Sequence, residues 1–252
     1  TVGLVVKDVY DNAFPNYTGT VTFTTTDGGT GATTPAPITF TGAEGGVAST
    51  SATFVTIGTQ TLAATDGTAT GSAQLAVHGL VYTAPNTGRV RLVVNAASST
   101  TQTVQLDLVA NELLEVSNFF GGGGTGSFAA GMNLPLDTTR VGPDATLFTP
   151  GTALPPGTGT RAAGAAIGAT DHVLYTVVSR KRVATTNFNQ GTQVAAGAVF
   201  YSVRLKLTPA GVVGAVFDGS QPGPLFRAAV RDQYGDDFVG QSDFGIGKLE
   251  IR

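Results

Sequence analysis

Apolar and polar residues alternate with a period of two along much of the chain, and glycine-containing turns separate the alternating segments. Such alternation is typical of a strand with one face in a core and the other in water. We therefore expect Ala73, Leu75 and Val77 to face a core. The alternating segments of the first part are 20–24, 38–41 and 72–77. The turns carry Asp27-Gly28-Gly29, Gly45-Gly46 and Asp66-Gly67, where glycine supplies positive φ angles.

The second part of the chain alternates in the same way, at coarser spacing. Its clearest segments are 89–94, 103–108, 201–207 and 248–252. No stretch keeps a helical period for more than about two turns. The sequence is rich in threonine and valine and contains 35 glycines, a composition that favours strands and turns. These patterns predict an all-β fold, for which β-sandwiches are the usual architecture.

The chain has 252 residues, enough for one large or two modest domains. The alternation breaks at His78-Gly79, and residues 85–88 form a turn signal, so we place a domain boundary near 78–88. The prediction is a first β-sandwich over 1–78 and a larger β-sandwich over 79–252. Two tracts of the second domain, 118–131 and 141–170, lack periodicity and are predicted to be long loops rich in glycine and proline.

Composition and charge exclude several classes of protein. Apolar residues make up 41% and charged residues 12%, which favours a folded core over disorder. The net charge of −3 gives no electrostatic footprint for nucleic acid. No apolar run approaches the roughly 18 residues of a membrane span. The absence of cysteine excludes disulfides and thiolate metal sites. A chain that begins with Thr1 fits a processed protein or a piece of a longer one.

Four short motifs of the first domain occur in an order typical of one family. They are KDVYDN at 7–12, YTGTVTF at 17–23, ITF at 38–40 and GTQTLAATD at 58–66. Over residues 1–77 the chain resembles the bacterial Ig-like repeat domains of exported surface proteins. The resemblance implies a sandwich that serves as a spacer or contact module outside the cell, without catalysis. The second domain is not recognised as a member of a family.

The resemblance also implies that the first domain lacks an N-terminal strand. In the family, the D-x-x-x-N motif, here Asp8 to Asn12, follows a complete strand and usually a second one. Only Thr1–Val6 precede it, and at about 3.3 Å per residue they form one strand. A sandwich that lacks a strand exposes an apolar groove and unpaired edges.

Two arrangements would supply the strand. In the first, the missing strand is part of a segment that precedes Thr1 in the native protein. In the second, a neighbouring subunit donates the strand, and the protein is then a homo-oligomer or polymer. The subunit contacts expected from the second arrangement are Thr1, Val2, Leu4, Val6, Leu249 and Ile251.

The motif residues also have local roles that need no partner. Asp8 and Asn12 are suited to accept or donate hydrogen bonds around a turn, as Asx residues do. Tyr17 is predicted to pack at the edge of the sandwich and to use its hydroxyl as a hydrogen-bonding tether.

The sequence shows no constellation typical of an enzyme. Neither His78 nor His172 belongs to a zinc-binding H-E-x-x-H spacing, and the chain has no G-x-S-x-G nucleophile elbow. His172 is interpreted as an exposed residue at the start of a strand. The glycine-rich segment 121–127 lacks the lysine of a phosphate-binding loop. We therefore predict a protein without catalytic activity and without an organic cofactor.

Calcium is the one metal ion that the sequence suggests. Asp232, Asp236 and Asp237 lie close together between strand-like segments, and hard oxygen ligands on a short loop suit this ion. A tight turn explains the same cluster without a metal. A second calcium candidate consists of Asp8, Asp11 and Asp66.

Asn16 begins the N-glycosylation sequon Asn16-Tyr17-Thr18, and glycans are therefore candidate modifications.

Together these observations predict an extracellular or cell-surface protein. We expect a structural subunit of a microbial surface fibre, sheath or layer that assembles through sandwich edges. The alternative is a carbohydrate-binding or adhesive module of a larger secreted protein, which would require an exposed aromatic platform. The absence of tryptophan and a total of six tyrosines disfavour this alternative. A virion protein would share most of these features.

Overall fold

The computed structural model describes residues 1–114, 127–154, 162–180, 191–209, 212–232 and 236–252. In these ranges the chain forms nineteen strands and two 3-10 turns of three residues each. The predicted all-β fold is confirmed. Among the described residues there is no helix with the length and hydropathy of a membrane span. The chain divides into two compact units, Thr1–His78 and Gly79–Arg252.

The first unit consists of two antiparallel sheets. One has two strands in the order β1-β4, and the other has four in the order β3-β2-β5-β6. The strands are β1 (Val2–Val5), β2 (Thr18–Thr25), β3 (Ile38–Thr41), β4 (Val47–Thr50), β5 (Gly58–Thr65) and β6 (Thr70–Val77). The buried apolar side chains of this unit are Val21, Phe40 and Leu62. Because this core is small, the stability of the first unit depends strongly on each of these three side chains.

A buried carboxylate fixes the turn that follows β2. Asp27 accepts hydrogen bonds from the backbone N–H groups of Gly29, Val55 and Thr56 at 2.9, 2.5 and 3.0 Å. The Thr56 hydroxyl donates a fourth, at 2.6 Å. This hydroxyl and the N–H groups hold the pKa of Asp27 well below its usual range, because they bond to its ionised form. Asp27 thereby joins its own turn to the segment before β5.

The described residues of the second unit form three sheets. Two have five strands, in the orders β12-β13-β10-β16-β17 and β11-β14-β9-β8-β18, and one has three, β15-β19-β7. The strands are β7 (Leu80–Thr83), β8 (Val90–Val94), β9 (Thr103–Ala110), β10 (Ala129–Pro135), β11 (Val141–Pro150), β12 (Ala163–Ile167), β13 (Val173–Ser179), β14 (Val199–Leu207), β15 (Gly214–Asp218), β16 (Arg227–Arg231), β17 (Asp237–Val239), β18 (Phe244–Gly245) and β19 (Lys248–Ile251).

A single apolar core unites the sheets of the second unit. It includes Leu106 and Leu108 of β9 together with Met132 and Leu134 of β10, so the two five-stranded sheets pack against each other. One polar contact crosses this core: the hydroxyls of Tyr201 and Thr176 lie 2.6 Å apart. The Thr176 hydroxyl also contacts the Met132 carbonyl at 3.0 Å, so both buried hydroxyls are hydrogen-bonded.

The prediction of long loops was wrong for residues 129–131 of the tract 118–131 and for half of the tract 141–170. Residues 141–150 form β11, residues 163–167 form β12, and residues 129–131 belong to β10. Both β11 and β12 are edge strands. An edge strand tolerates Pro143, whose missing N–H breaks the ladder least there, and β11 shifts register between Pro143 and Phe148. Residues 118–126 lie outside the described part of the chain.

Replacement of Phe40 by alanine tests the dependence of the first unit on its small core. Phe40 is 2% exposed, and its ring lies edge-on to Tyr17. We expect Phe40→Ala to lower the free energy of unfolding of this unit by about 3–5 kcal/mol. Hydrogen exchange of the β2 and β3 amides measures this unit separately. Val47→Ala, at a side chain that is 53% exposed, is the control and should change exchange there little. Equal effects of the two substitutions would contradict this account of the core.

Candidate functional site

The strand β6 forms an open edge of the first unit. Among the described residues it pairs with β5 alone, and its eight residues continue that register without a shift. Its sequence, TGSAQLAV, contains no charged residue and no proline. Charges, prolines and bulges are the means by which sheet edges avoid pairing with other chains. The edge of β6 is therefore available for another strand.

The apolar face of β6 is uncovered, contrary to the sequence-based expectation. Ala73 and Leu75 are exposed and Val77 is half-buried, although their alternation predicts a core face. Their partners on β5 include Leu62, opposite Ala73, and Leu62 is buried. The layer that covers this face of the sheet therefore ends at β5. The sequence periodicity correctly places Ala73, Leu75 and Val77 on one face of β6. It does not indicate that this face lacks a second layer packed against it.

Other edge strands in the described residues are shorter or interrupted. Of those with eight or more residues, β11 carries two prolines and a register shift. The edge strand β17 has three residues and lies beside an ion pair between Arg231 and Asp237. By length and regularity, β6 is the edge best suited to accept a strand.

A groove of about 360 Å³ lies beside the start of β6. It is bordered by β1 and the segment that follows it, by β2, and by the β5–β6 hairpin. Its lining residues are Leu4, Val5, Val6, Lys7, Asp11, Tyr17, Val21, Ala64, Thr65, Asp66, Ala69, Thr70 and Gly71. The mostly apolar lining and the open neighbouring edge together make this region the candidate functional site.

Tyr17 forms a fixed part of the groove. Its hydroxyl donates a 2.6 Å hydrogen bond to Asp66, in the turn between β5 and β6, and its ring lies edge-on to Phe40 at 5.5 Å. The predicted role of Tyr17 as a tether is confirmed. Gly19 makes room for it, because a Cβ atom at Gly19 would lie 2.5 Å from the Tyr17 hydroxyl oxygen.

The tether also sets the electrostatics of the groove. The Tyr17 hydroxyl and then the N–H groups of Ala69 and Thr68 lower the pKa of Asp66 to about 2. The same bond raises the pKa of Tyr17, because loss of its proton would place two negative charges side by side. Asp66 is therefore ionised and Tyr17 neutral at ordinary pH.

The predicted turn at Asp8 is confirmed. The Asp8 carboxylate accepts hydrogen bonds from the N–H groups of Tyr10 and Asn12 at 2.8 and 2.9 Å. Asp11 pairs with Lys7 at 2.8 Å, and Asp66 is bonded to Tyr17. The acidic side chains of this calcium candidate are thus each engaged in a different local contact.

The aspartates between β16 and β17 have similar local roles. Asp232 accepts a hydrogen bond from the N–H of Asp236 at 3.0 Å, and Asp237 pairs with Arg231 at 2.9 Å. Within the part of the chain that the structure describes, no three acidic or histidine side chains form a group that could hold a metal ion. The calcium site stays a prediction.

The strand residues that were expected to make subunit contacts belong to two different sheets. Val2 and Leu4 belong to β1, which pairs with β4, and Thr1 is exposed beside them. Leu249 and Ile251 are buried in β19, the middle strand of its sheet. We expected this C-terminal strand to insert into a neighbouring subunit. Its buried side chains disagree with that expectation, because the strand would first have to separate from both β15 and β7.

The remaining candidates have simple surroundings. Asn16 is exposed, so its glycosylation stays a prediction. His172 is exposed immediately before β13, as expected, and its Nδ1 lies 2.6 Å from the Thr138 hydroxyl. The glycine-rich segment 121–126 lies outside the described residues.

Comparisons of the chain with protein-family models, curated proteins and solved structures yield no match. The resemblance of residues 1–77 to Ig-like repeats therefore stays a prediction, and the functional assignment depends on the residues themselves.

Removal of the Tyr17 hydroxyl tests the tether. We expect Tyr17→Phe to lower the Tm of the first unit at pH 7, because ionised Asp66 loses a donor. The folded-state pKa of Asp66, about 2, lies below its unfolded value near 4, so this stabilisation is complete above about pH 4 and is lost as the pH falls through 2. The difference in Tm from the wild type should therefore shrink towards pH 2.

Tyr10→Phe is the matched control, because the Tyr10 side chain is 82% exposed. It should leave the Tm unchanged at every pH. If the Tyr17→Phe variant has the same Tm as the wild type at pH 7, the tether contributes nothing to the stability of the first unit.

Proposed function

We propose that this protein is a non-enzymatic, extracellular structural subunit of a microbial surface fibre, sheath or layer. It consists of two β-sandwich domains, the first Ig-like, and it assembles through the open edge of the first. The observation that carries the proposal is the uncovered apolar face of β6, next to an edge without charge or proline. A strand from a neighbouring subunit would satisfy both features at once.

The backbone of β6 supplies the first contribution to assembly. Its outward N–H and C=O groups would exchange water for a partner strand about 4.8 Å away. Each ladder hydrogen bond adds about 1 kcal/mol or less, because water is displaced at the same time. The strength of a strand–strand contact therefore depends on the number of ladder hydrogen bonds. The eight residues of β6, paired with β5 without a register shift, provide a long edge for such bonds.

The side chains of β6 supply the second contribution. Leu75 is 51% exposed, and covering the rest of it would contribute about 1 kcal/mol. Ala73 lies on the same face and leads towards the groove at Gly71. A partner that pairs with the edge and leans over this face would extend the small core of the first unit.

The β6 strand of a second copy is the partner that the described residues favour. An antiparallel β6–β6 contact is self-complementary about a twofold axis and leaves β1 and β19 in place. A twofold contact produces a dimer, so a fibre or layer requires a further contact. The loop tip at Val9 and Tyr10, 92% and 82% exposed, offers an apolar surface for it.

A charge on the apolar face of β6 tests the proposal. We expect the wild type to form dimers and larger assemblies with rising concentration in sedimentation velocity and negative-stain microscopy. Leu75→Lys should abolish the β6 contact, because a covered ammonium group must lose its hydration.

Val47→Lys is the matched control, since Val47 is 53% exposed on β4 of the same unit. It should assemble as the wild type does. Circular dichroism should show that both variants are folded. A wild type that stays monomeric at high concentration, or a Leu75→Lys variant that still assembles, would overturn the proposal.

A further inference from the structure

A trough of about 460 Å³ lies on the outer face of a five-stranded sheet in the second unit. Its residues come from β13, β10, β16 and β17 and from the 3-10 turn after β17. Along β10 and β16, Ala130, Met132 and Ala228 point into the core, while the alternate residues point outwards into the trough. The volume falls within the ~300–1,000 Å³ range of small-molecule sites.

Small residues form the floor of the trough. Ala129 and Gly131 of β10 lie beside Ala229 of β16, which pairs directly with Gly131. Gly131 is needed at its position, because a Cβ atom there would lie 2.8 Å from the Thr176 carbonyl oxygen. The surface is therefore low over β10 and β16, and the exposed Val177 side chain, opposite Gly131 on β13, borders it.

The polar groups around this floor favour an anion. Arg227 is exposed on β16 and has no ion pair with any described residue, while its Nη1 donates to the carbonyls of Pro224 and Phe226. Arg231 lies four residues further along β16, and its Nε bonds to Asp237 at 2.9 Å. Among the residues that line the trough, two arginines and one aspartate leave one net positive charge. Asn133 and Gln241 add neutral amide groups.

One row of side chains across the sheet adds an aromatic surface. Asn133 on β10 pairs with Arg227 on one side and with Tyr175 of β13 on the other. Tyr175 is 40% exposed, and its hydroxyl bonds to Asp171, which fixes the ring. Cross-strand neighbours lie about 5 Å apart, so Tyr175, Asn133 and Arg227 occupy one row across three adjacent strands.

The position of the trough determines how a ligand would be held. On both sides β10 is already paired, with β13 and with β16, so a peptide cannot add to it as a strand. Recognition must use side chains, and planar amides and guanidinium groups bond well to hydroxyls and carboxylates. The apolar C–H face of a sugar ring suits the small-residue floor, and Tyr175, the neighbour of Asn133 on β13, offers a ring beside it.

We propose that this trough binds an acidic saccharide, with its carboxylate at Arg227 and its hydroxyls at Asn133 and Gln241. Such a site would attach the subunit to a carboxylated glycan surface. It is independent of the β6 contact, which lies in the other unit.

The test is a calorimetric titration of the whole protein with glucuronic-, galacturonic- and sialic-acid oligosaccharides, each beside its methyl ester. We expect an acidic oligosaccharide to bind, its ester to bind at least about tenfold more weakly, and added salt to weaken binding. Arg227→Gln should reduce affinity about tenfold or more, since a charge-assisted hydrogen bond is lost. Ala229→Leu, which raises the floor, should also abolish binding.

Lys206→Gln is the matched control, because it removes one exposed positive charge from β14 in the same unit. It should bind as the wild type does. An absence of binding by all three acids, or equal affinity of acid and ester, would overturn the proposal. Tighter binding of a poly-glutamate peptide than of any saccharide would also overturn it. The sedimentation behaviour should not change in any of these variants.

Discussion

The pairing and covering of strand edges is the constraint on which this structure depends. In an all-β protein every open sheet ends in strands whose outer N–H and C=O groups need partners, and the fold must also cover each apolar face. The second unit limits its edges by short strands, by register shifts and by Pro143 in β11. The first unit leaves β6 long, uncharged and uncovered. The proposed assembly follows from this difference.

Polar contacts compensate for the small apolar core of the first unit. Asp27 joins two loops through four hydrogen bonds, and the bond from Tyr17 to Asp66 joins the segment before β2 to the turn before β6. The second of these contacts lies in the lining of the groove beside β6. The second unit contains a continuous core instead, and the outer face of one of its sheets carries small residues and the exposed Arg227.

Local patterns in the sequence predicted part of the structure. Alternation placed β3 and β14 almost to the residue, and Tyr17 was correctly interpreted as a tether. The strands β11 and β12 were missed because proline, glycine and alanine hide the alternation at sheet edges. Periodicity shows which side chains share a face of a strand, but whether that face is buried depends on another layer of the structure. Leu75 was for this reason wrongly expected to face a core. The trough depends on the register of strands far apart in sequence, which no local pattern contains.

Hydrogen exchange of the β6 amides over a range of protein concentrations tests the central claim most directly. In the isolated subunit, the N–H groups that point away from β5 should exchange rapidly. If β6 is the assembly edge, these amides become protected as the concentration rises, and the residue-by-residue protection follows the alternation of a strand ladder. Exchange that is independent of concentration, or protection that appears elsewhere while β6 stays open, would contradict the account.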